Sequence, residues 1–270
     1  MIFKSNYVLL LLFMFLSQTI FSQKRVDTAD LKVQYRMLIF SDQDSLMTGI
    51  DYDVFEYSLL FNSQKSIYSD DTLKKFYNYI RNNRGNYGLP SVSKGYPKSK
   101  SSIYKDGDKI IATLPIGKNL YSFQEPNLQW ELLPEQSKEI LGYSCNLAKT
   151  ITDTGKLYYA WYTTKIPIPE GPFRFKGLNG LVLEVYSEDK SLIIKSSEII
   201  KSNEPIEPID YITVYNVSDK ANFLKKRREF IENPNSDEFS SRFKVYSPDG
   251  KELKTNKRVP LKINESILLD

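Results

Sequence analysis

The stretch YYAWYTTKIPIPEGPFRFKGLNGLVLEV, from Tyr158 to Val185, carries the most unusual pattern of this sequence. Its two ends are rich in β-branched and aromatic residues, which favour strands. Between them, each proline of IPIP fixes its own φ and biases the preceding residue towards an extended backbone. Gly177 and Gly180 bracket a tight turn before the strand LVLEV. We therefore predict two core strands joined by a rigid excursion.

The excursion has two interpretations. In the first, it is a structural crossover that closes the sheet. In the second, it rims a ligand pocket whose walls are Trp161, Tyr162, Phe173 and Phe175. Aromatic residues beside strands belong more often to the core than to a site, so sequence alone leaves both interpretations open.

The sequence around this stretch predicts a meander of short strands separated by turn residues. Asp106-Gly107 lies between SIYK and DKIIATL and is a strong hairpin turn. The segment Asp42–Asp53 is predicted to be a polar connection. The other predicted strands are Leu31–Phe40, Val54–Phe61, Gln64–Tyr68, Leu128–Leu133, Ile140–Lys149, Leu157–Thr163, Leu181–Tyr186, Leu192–Lys195 and Tyr211–Tyr215.

Two segments have helical patterns. Asp71–Asn82 places its apolar residues on one stripe, and Asp70 or Asp71 can cap its start. Asp219–Glu232 follows the predicted cap Ser218. The predicted fold is therefore mainly β with two helices (α+β), built as a curved antiparallel sheet or half-barrel meander. By analogy alone, the lipoprotein-carrier fold has this architecture.

The N-terminus has the pattern of an export signal. Lys4 precedes the apolar run YVLLLLFMFL, and a short polar region follows it. The run is shorter than the roughly 20 apolar residues that a membrane span needs. We predict a signal peptide over residues 1–22, a β-rich domain over 23–235 and a weakly patterned extension over 236–270 that could form an edge hairpin. The predicted location is the periplasm or the outer membrane.

Composition excludes several classes of chemistry. The chain has no histidine and a single cysteine, Cys145. Histidine-based acid–base catalysis, the Ser-His-Asp triad and histidine-ligated zinc are therefore excluded. We predict no catalytic residues, no metal and no cofactor. With 37 basic and 33 acidic residues, the charge is too balanced to indicate a nucleic-acid partner.

Two smaller features are predicted to be structural. Cys145 lies in an apolar strand and is expected to be a buried small hydrophobe. The run Lys225-Lys226-Arg227-Arg228 is expected to be the solvated face of the second helix, with contact to anionic headgroups or a partner as the alternative.

The six residues Gly177-Leu178-Asn179-Gly180-Leu181-Val182 resemble the signature of the GLPGLI family of Bacteroidota envelope proteins. Asn179 stands where the family has proline, and Val182 where it has isoleucine. The neighbouring residues that also match are Gly142-Tyr143-Ser144-Cys145, Ala160-Trp161-Tyr162-Thr163, Ile166-Pro167, Gly171-Pro172 and Phe175. The resemblance implies a place in the cell envelope, but no activity.

The expected function is that of a non-enzymatic envelope protein that binds an apolar or peptide-like ligand. The alternative is an accessory or assembly factor for an outer-membrane transporter or protease. An apolar cavity would favour the first, and a filled core with an exposed aromatic patch would favour the second.

Overall fold

The computed structural model describes residues 27–40, 43–49, 52–82, 97–117, 119–209 and 213–232. Within these ranges lie 12 strands in one sheet and three helices. The strands are β1 (Leu31–Phe40), β2 (Tyr52–Phe61), β3 (Lys65–Ser69), β4 (Ser102–Asp106), β5 (Lys109–Ile116), β6 (Asn119–Glu125), β7 (Glu131–Ile140), β8 (Tyr143–Ile151), β9 (Leu157–Thr163), β10 (Leu181–Ser187), β11 (Leu192–Lys201) and β12 (Val214–Asn216). The helices are α1 (Gln43–Thr48), α2 (Asp71–Asn82) and α3 (Lys220–Glu232).

The sheet consists of two antiparallel meanders joined in the middle. Its strand order is β12-β6-β5-β4-β3-β2-β1-β11-β10-β9-β8-β7. The first meander runs from β1 to β6 and the second from β7 to β11, and β11 pairs with β1. The short strand β12 pairs in parallel with β6.

The sheet is strongly curved. In the strand order, β6 and β7 are ten positions apart, which corresponds to about 48 Å in a flat sheet. However, β6 ends at Glu125 and β7 begins at Glu131, and a connection of this length spans at most about 22 Å. The two ends of the sheet must therefore bend towards each other, which confirms the predicted curved antiparallel sheet.

One face of the sheet, here called the inner face, carries the main core. On β1 it presents Val33, Tyr35 and Met37, all buried. Helix α3 lies on this face, where the ring centroids of Phe223 and Phe123 are 4.8 Å apart. From β1 to β6, the residues of the inner face lie opposite one another on neighbouring strands. These register partners are Val33–Leu59, Leu59–Tyr68, Tyr68–Ile103, Ile103–Ala112 and Ala112–Phe123.

Most predicted elements are confirmed, with two corrections at helices. The segment predicted as a polar connection contains the short helix α1. Helix α3 is capped by Asp219, whose Oδ1 accepts the backbone N–H of Asn222 at 2.8 Å. The predicted cap Ser218 is therefore wrong by one residue, and its hydroxyl instead donates to Asp219 at 3.0 Å.

The largest correction concerns β7 and β8. The predicted strands Leu128–Leu133 and Ile140–Lys149 miss a hairpin turn at Leu141 and Gly142, where both φ angles are positive, at 52° and 79°. Gly142 is a common residue for such a turn, but leucine is not, so the sequence signal is weak. β7 is also mostly polar and exposed, and a register shift interrupts it between Leu133 and Ser137.

The predicted export signal, the C-terminal extension and its hairpin lie outside the described residues. Among the helices that are described, none has the length and apolar character needed to cross a membrane.

Candidate functional site

The excursion between β9 and β10, residues 164–180, is here called the crossing segment. It folds against itself: Gly177 N–H donates to Pro169 O at 3.2 Å, and Leu181 N–H donates to Ile166 O at 3.0 Å. A Cβ at Gly180 would collide with the Thr163 carbonyl, and one at Gly171 would collide with the Phe175 carbonyl oxygen. The crossing segment is therefore a tightly packed unit, as its prolines and glycines predict.

A buried cluster of charges fixes the crossing segment over β3 and β4. The Glu170 carboxylate accepts from Lys105 of β4 at 2.8 Å and from Lys176 at 2.5 Å. The Lys176 ammonium also donates to Ser66 Oγ of β3 at 3.3 Å. Burial alone would raise the pKa of Glu170, but Lys176 and Lys105 hold that pKa below its usual value. Glu170 is therefore ionised in the folded protein near neutral pH.

A second cluster forms a ring of alternating charges. Arg174 Nη2 lies 2.7 Å from Glu125 and 2.6 Å from Asp153, and Lys220 Nζ lies 3.0 Å from each of the same carboxylates. Burial raises the pKa of Glu125. Burial alone would also raise the pKa of Asp153, but Arg174 and Lys220 hold the pKa of that carboxyl below its usual value.

This ring joins four distant parts of the chain: the end of β6, the turn between β8 and β9, the crossing segment and the start of α3. Removal of one member of a buried charge cluster is destabilising because the remaining charges are then less well compensated. In the first cluster Glu170 and Lys176 are buried, and the second cluster is buried except for Asp153, which is exposed. The two clusters tie the crossing segment to the sheet and to α3, which agrees with the first of the two interpretations.

The four aromatic residues predicted to line a pocket are all buried: Trp161, Tyr162, Phe173 and Phe175. Trp161 and Tyr162 are consecutive in β9 and therefore point to opposite faces of the sheet. Phe175 packs against Tyr158 at a centroid distance of 4.9 Å, and Lys138 Nζ lies 5.5 Å from the Trp161 ring centroid. All four belong to the same buried core cluster, and their role in ligand binding stays a prediction.

The signature residues form the end of the crossing segment and the start of β10. Gly177 has a φ of 96°, which disfavours any side chain there. Leu178, Leu181 and Val182 are buried, whereas Asn179 is exposed. The motif thus combines a turn with core side chains.

A groove of about 380 Å³ lies at the β7 edge of the sheet, between the residues that lead into β7, the end of β8 and the start of β9. Its wall includes Trp130, whose indole N–H donates to the Lys176 carbonyl at 2.9 Å. Ile151 is 67% exposed. Glu131 and Lys149 form an ion pair of 3.1 Å. The lining residues are Gln129, Trp130, Glu131, Lys149, Thr150, Ile151 and Leu157.

Sequence reasoning missed this groove and selected the other tryptophan. The available signal was Trp130 itself, an aromatic residue in the polar stretch QWELLPEQ. Trp130 is only partly buried, whereas Trp161 is 9% exposed.

The structure also shows the surroundings of Cys145 and of the basic run in α3. Cys145 is fully buried, and burial raises the pKa of its thiol to about 11. In the basic run, Lys225 and Arg228 are exposed but Arg227 is buried, so the run is not one solvated face. A second groove along α3 includes Lys225 and Asn222.

A family profile described as "Protein of unknown function (Porph_ging)" matches residues 151–184. These residues cover β9, the crossing segment and the start of β10, the region that also carries the GLPGLI resemblance. The motif region is therefore similar to a family of unknown function, and the resemblance to the GLPGLI family stays a prediction. A search of curated proteins found no match to the sequence.

One protein of low sequence identity, solved in two crystal forms, shares the fold. PNGF-II in a P21 crystal form is 11% identical with a TM-score of 0.52, and the alignment covers 76% of this chain and 34% of that chain. A C2 form gives 12% identity and a TM-score of 0.50, with 75% and 32% covered. A LolA superfamily protein from Nitrosomonas europaea is 11% identical over 70% of this chain and 94% of that chain, with a TM-score of 0.29. This chain thus spans about a third of PNGF-II, to which it is similar in fold alone.

Proposed function

We propose that the protein is exported to the cell envelope and acts there as a non-enzymatic binding protein, with its ligand in the groove beside Trp130. The observation that carries this proposal is the hydrogen bond from Trp130 to the Lys176 carbonyl. This bond ties a partly exposed aromatic ring to the rigid crossing segment, and a ring that is already ordered loses little entropy when a ligand binds.

The chemistry of the groove suits an apolar or peptide-like ligand. Trp130, Ile151 and Leu157 provide apolar surface, and a ligand that covers the exposed Ile151 side chain would remove that surface from water. The volume of about 380 Å³ lies near the lower end of the roughly 300–1,000 Å³ of small-molecule sites. The groove therefore suits a small ligand better than a long acyl chain.

The non-enzymatic part of the proposal is supported by the chemistry of the side chains. The chain contains no histidine, and its single thiol is buried with a raised pKa. The charged groups of the groove, Glu131 and Lys149, are paired with each other.

Titration with the uncharged fluorophore N-phenylnaphthylamine tests the groove as a binding site. We expect saturable binding of one molecule per chain, which Ile151→Asp abolishes because it places a charge on the apolar wall. Lys225→Met, in the second groove along α3, is the matched control and should bind normally. Binding that Ile151→Asp leaves unchanged would refute the proposal, provided that the variant melts like the parent.

Export is tested separately, by N-terminal sequencing of the protein from the envelope of its own cell. We expect the mature chain to begin at Gln23 or within a residue or two of it. A chain in that fraction that still starts at Met1 would contradict this part of the proposal.

A further inference from the structure

The groove carries two opposite charges on its wall as well as apolar side chains. Glu131 of β7 lies directly opposite Lys149 of β8 in the sheet register, and their charged groups are 3.1 Å apart. Opposed residues of this kind have their Cβ atoms about 4.5–5.5 Å apart. A carboxylate and an ammonium are thus presented side by side at the edge of an apolar surface.

This ion pair can exchange its partners for those of a ligand. The Glu131 side chain is 65% exposed and that of Lys149 is 34% exposed, so water already solvates both. Exposed pairs of this kind stabilise a fold very little. A ligand that offers one negative and one positive group can therefore replace the Glu131–Lys149 contact with two contacts of its own.

The other polar groups of the groove are less suited to recognising charge. The Thr150 hydroxyl donates to the Gln129 carbonyl oxygen at 2.6 Å, so its proton is already used. The Trp130 N–H is bonded to Lys176 O. Glu131 and Lys149 are thus the groups that select the charge of a ligand.

We infer that the groove binds a small zwitterion with a bulky apolar side chain, the chemistry shared by a free apolar amino acid and a dipeptide of such residues. The ligand carboxylate faces Lys149, its ammonium faces Glu131, and its side chain covers Trp130 and Ile151. This inference rests on the proposed function and narrows its ligand class. The small volume of the groove agrees with a ligand of this size.

Leucine and dileucine are suitable probes, and Trp130 is a suitable reporter. The chain has two tryptophans, so Trp161→Phe leaves Trp130 as the single indole fluorophore. We expect saturable changes in Trp130 emission with free dileucine, and affinity lower by roughly fivefold for each terminus that is blocked by acetylation or amidation. Calorimetry with the wild-type protein gives the same comparison if the Trp161→Phe variant does not fold.

Two variants assign the contacts. Lys149→Met should remove the difference between free and amidated dileucine, and Glu131→Gln should remove the difference between free and acetylated dileucine. Lys225→Met is again the matched control and should preserve both differences. Tighter binding of leucine would identify an amino acid as the ligand type, and tighter binding of dileucine would identify a peptide.

The inference is overturned if fully blocked dileucine binds as tightly as free dileucine, or if neither leucine nor dileucine binds. The proposed function survives that result when N-phenylnaphthylamine still binds at Ile151. If N-phenylnaphthylamine also fails to bind, both the inference and the proposed function are wrong.

Discussion

The pairs Lys176–Glu170 and Lys149–Glu131 have the same chemistry but opposite surroundings. In the crossing segment, both side chains are 1% exposed and the charged atoms are 2.5 Å apart. In the groove, the charged atoms are 3.1 Å apart and both side chains are solvated. A buried pair must stay intact because each ion has lost its water, whereas a solvated pair can open. The first pair therefore serves stability and the second is available for binding.

Removal of one lysine from each pair should give the largest contrast. Lys176→Met leaves Glu170 buried with Lys105 alone, and we expect a loss of about 3–5 kcal/mol in the free energy of unfolding. Lys149→Met should cost at most about 1 kcal/mol. Urea denaturation of both variants measures the difference. Equal losses would contradict the distinction between the two regions.

The two tryptophans extend the same comparison. Trp161 is buried, so Trp161→Ala should cost about 3–5 kcal/mol and lower the melting temperature by several degrees. Trp130→Ala should cost less, because its ring is partly exposed, but should abolish binding of N-phenylnaphthylamine. Thermal melts and titrations of both variants test this. If Trp161→Ala melts like the parent yet loses the ligand, the site predicted from sequence is correct and the groove is not.

In the signature turn, an added side chain at Gly180 should lower stability, whereas a substitution at the neighbouring Asn179 should have little effect. Gly180→Ala forces a Cβ against the Thr163 carbonyl, and we expect a loss of about 1–3 kcal/mol. Asn179→Ala, at an exposed position of the same turn, should change stability by no more than about 0.5 kcal/mol. Chemical denaturation of the two variants decides whether close packing explains the glycine.

Acid should weaken the charge cluster around Glu170. The folded-state pKa of Glu170 lies below its usual value, so its contribution to stability is present above the unfolded-state pKa of about 4.3 and is lost as pH falls through the folded-state pKa. Because Lys176→Met removes one of the two ammonium groups that lower this pKa, the variant should lose stability less steeply than the parent below about pH 4. Urea denaturation at a series of pH values measures both curves. Parallel curves would show that Lys176 does not lower the pKa of Glu170.

The sequence predicted the crossing segment well because its signals are local. β9 was predicted at its observed bounds, and β10 extends only one residue beyond the prediction. The turn at Gly177 follows from glycine's tolerance of positive φ. Such features depend on neighbouring residues alone, which is why they can be inferred from one sequence.

The charge clusters and the groove depend on distant contacts. Arg174 and Lys176 are buried only because the curved sheet brings Glu125 of β6 near Arg174, while Lys176 pairs with Glu170 against β3. No local pattern predicts that a charged residue points into a core. The groove requires the register of β7 on β8, which the polar sequence and the shift after Leu133 conceal.

Nitrogen–proton correlation spectra of the labelled protein test the central claim most directly, because the two tryptophans give two indole signals. We predict that titration with N-phenylnaphthylamine moves the Trp130 indole signal along a saturable curve and leaves the Trp161 signal in place. A shift of the Trp161 signal with the Trp130 signal unchanged would contradict the account and return the ligand site to the residues selected from sequence.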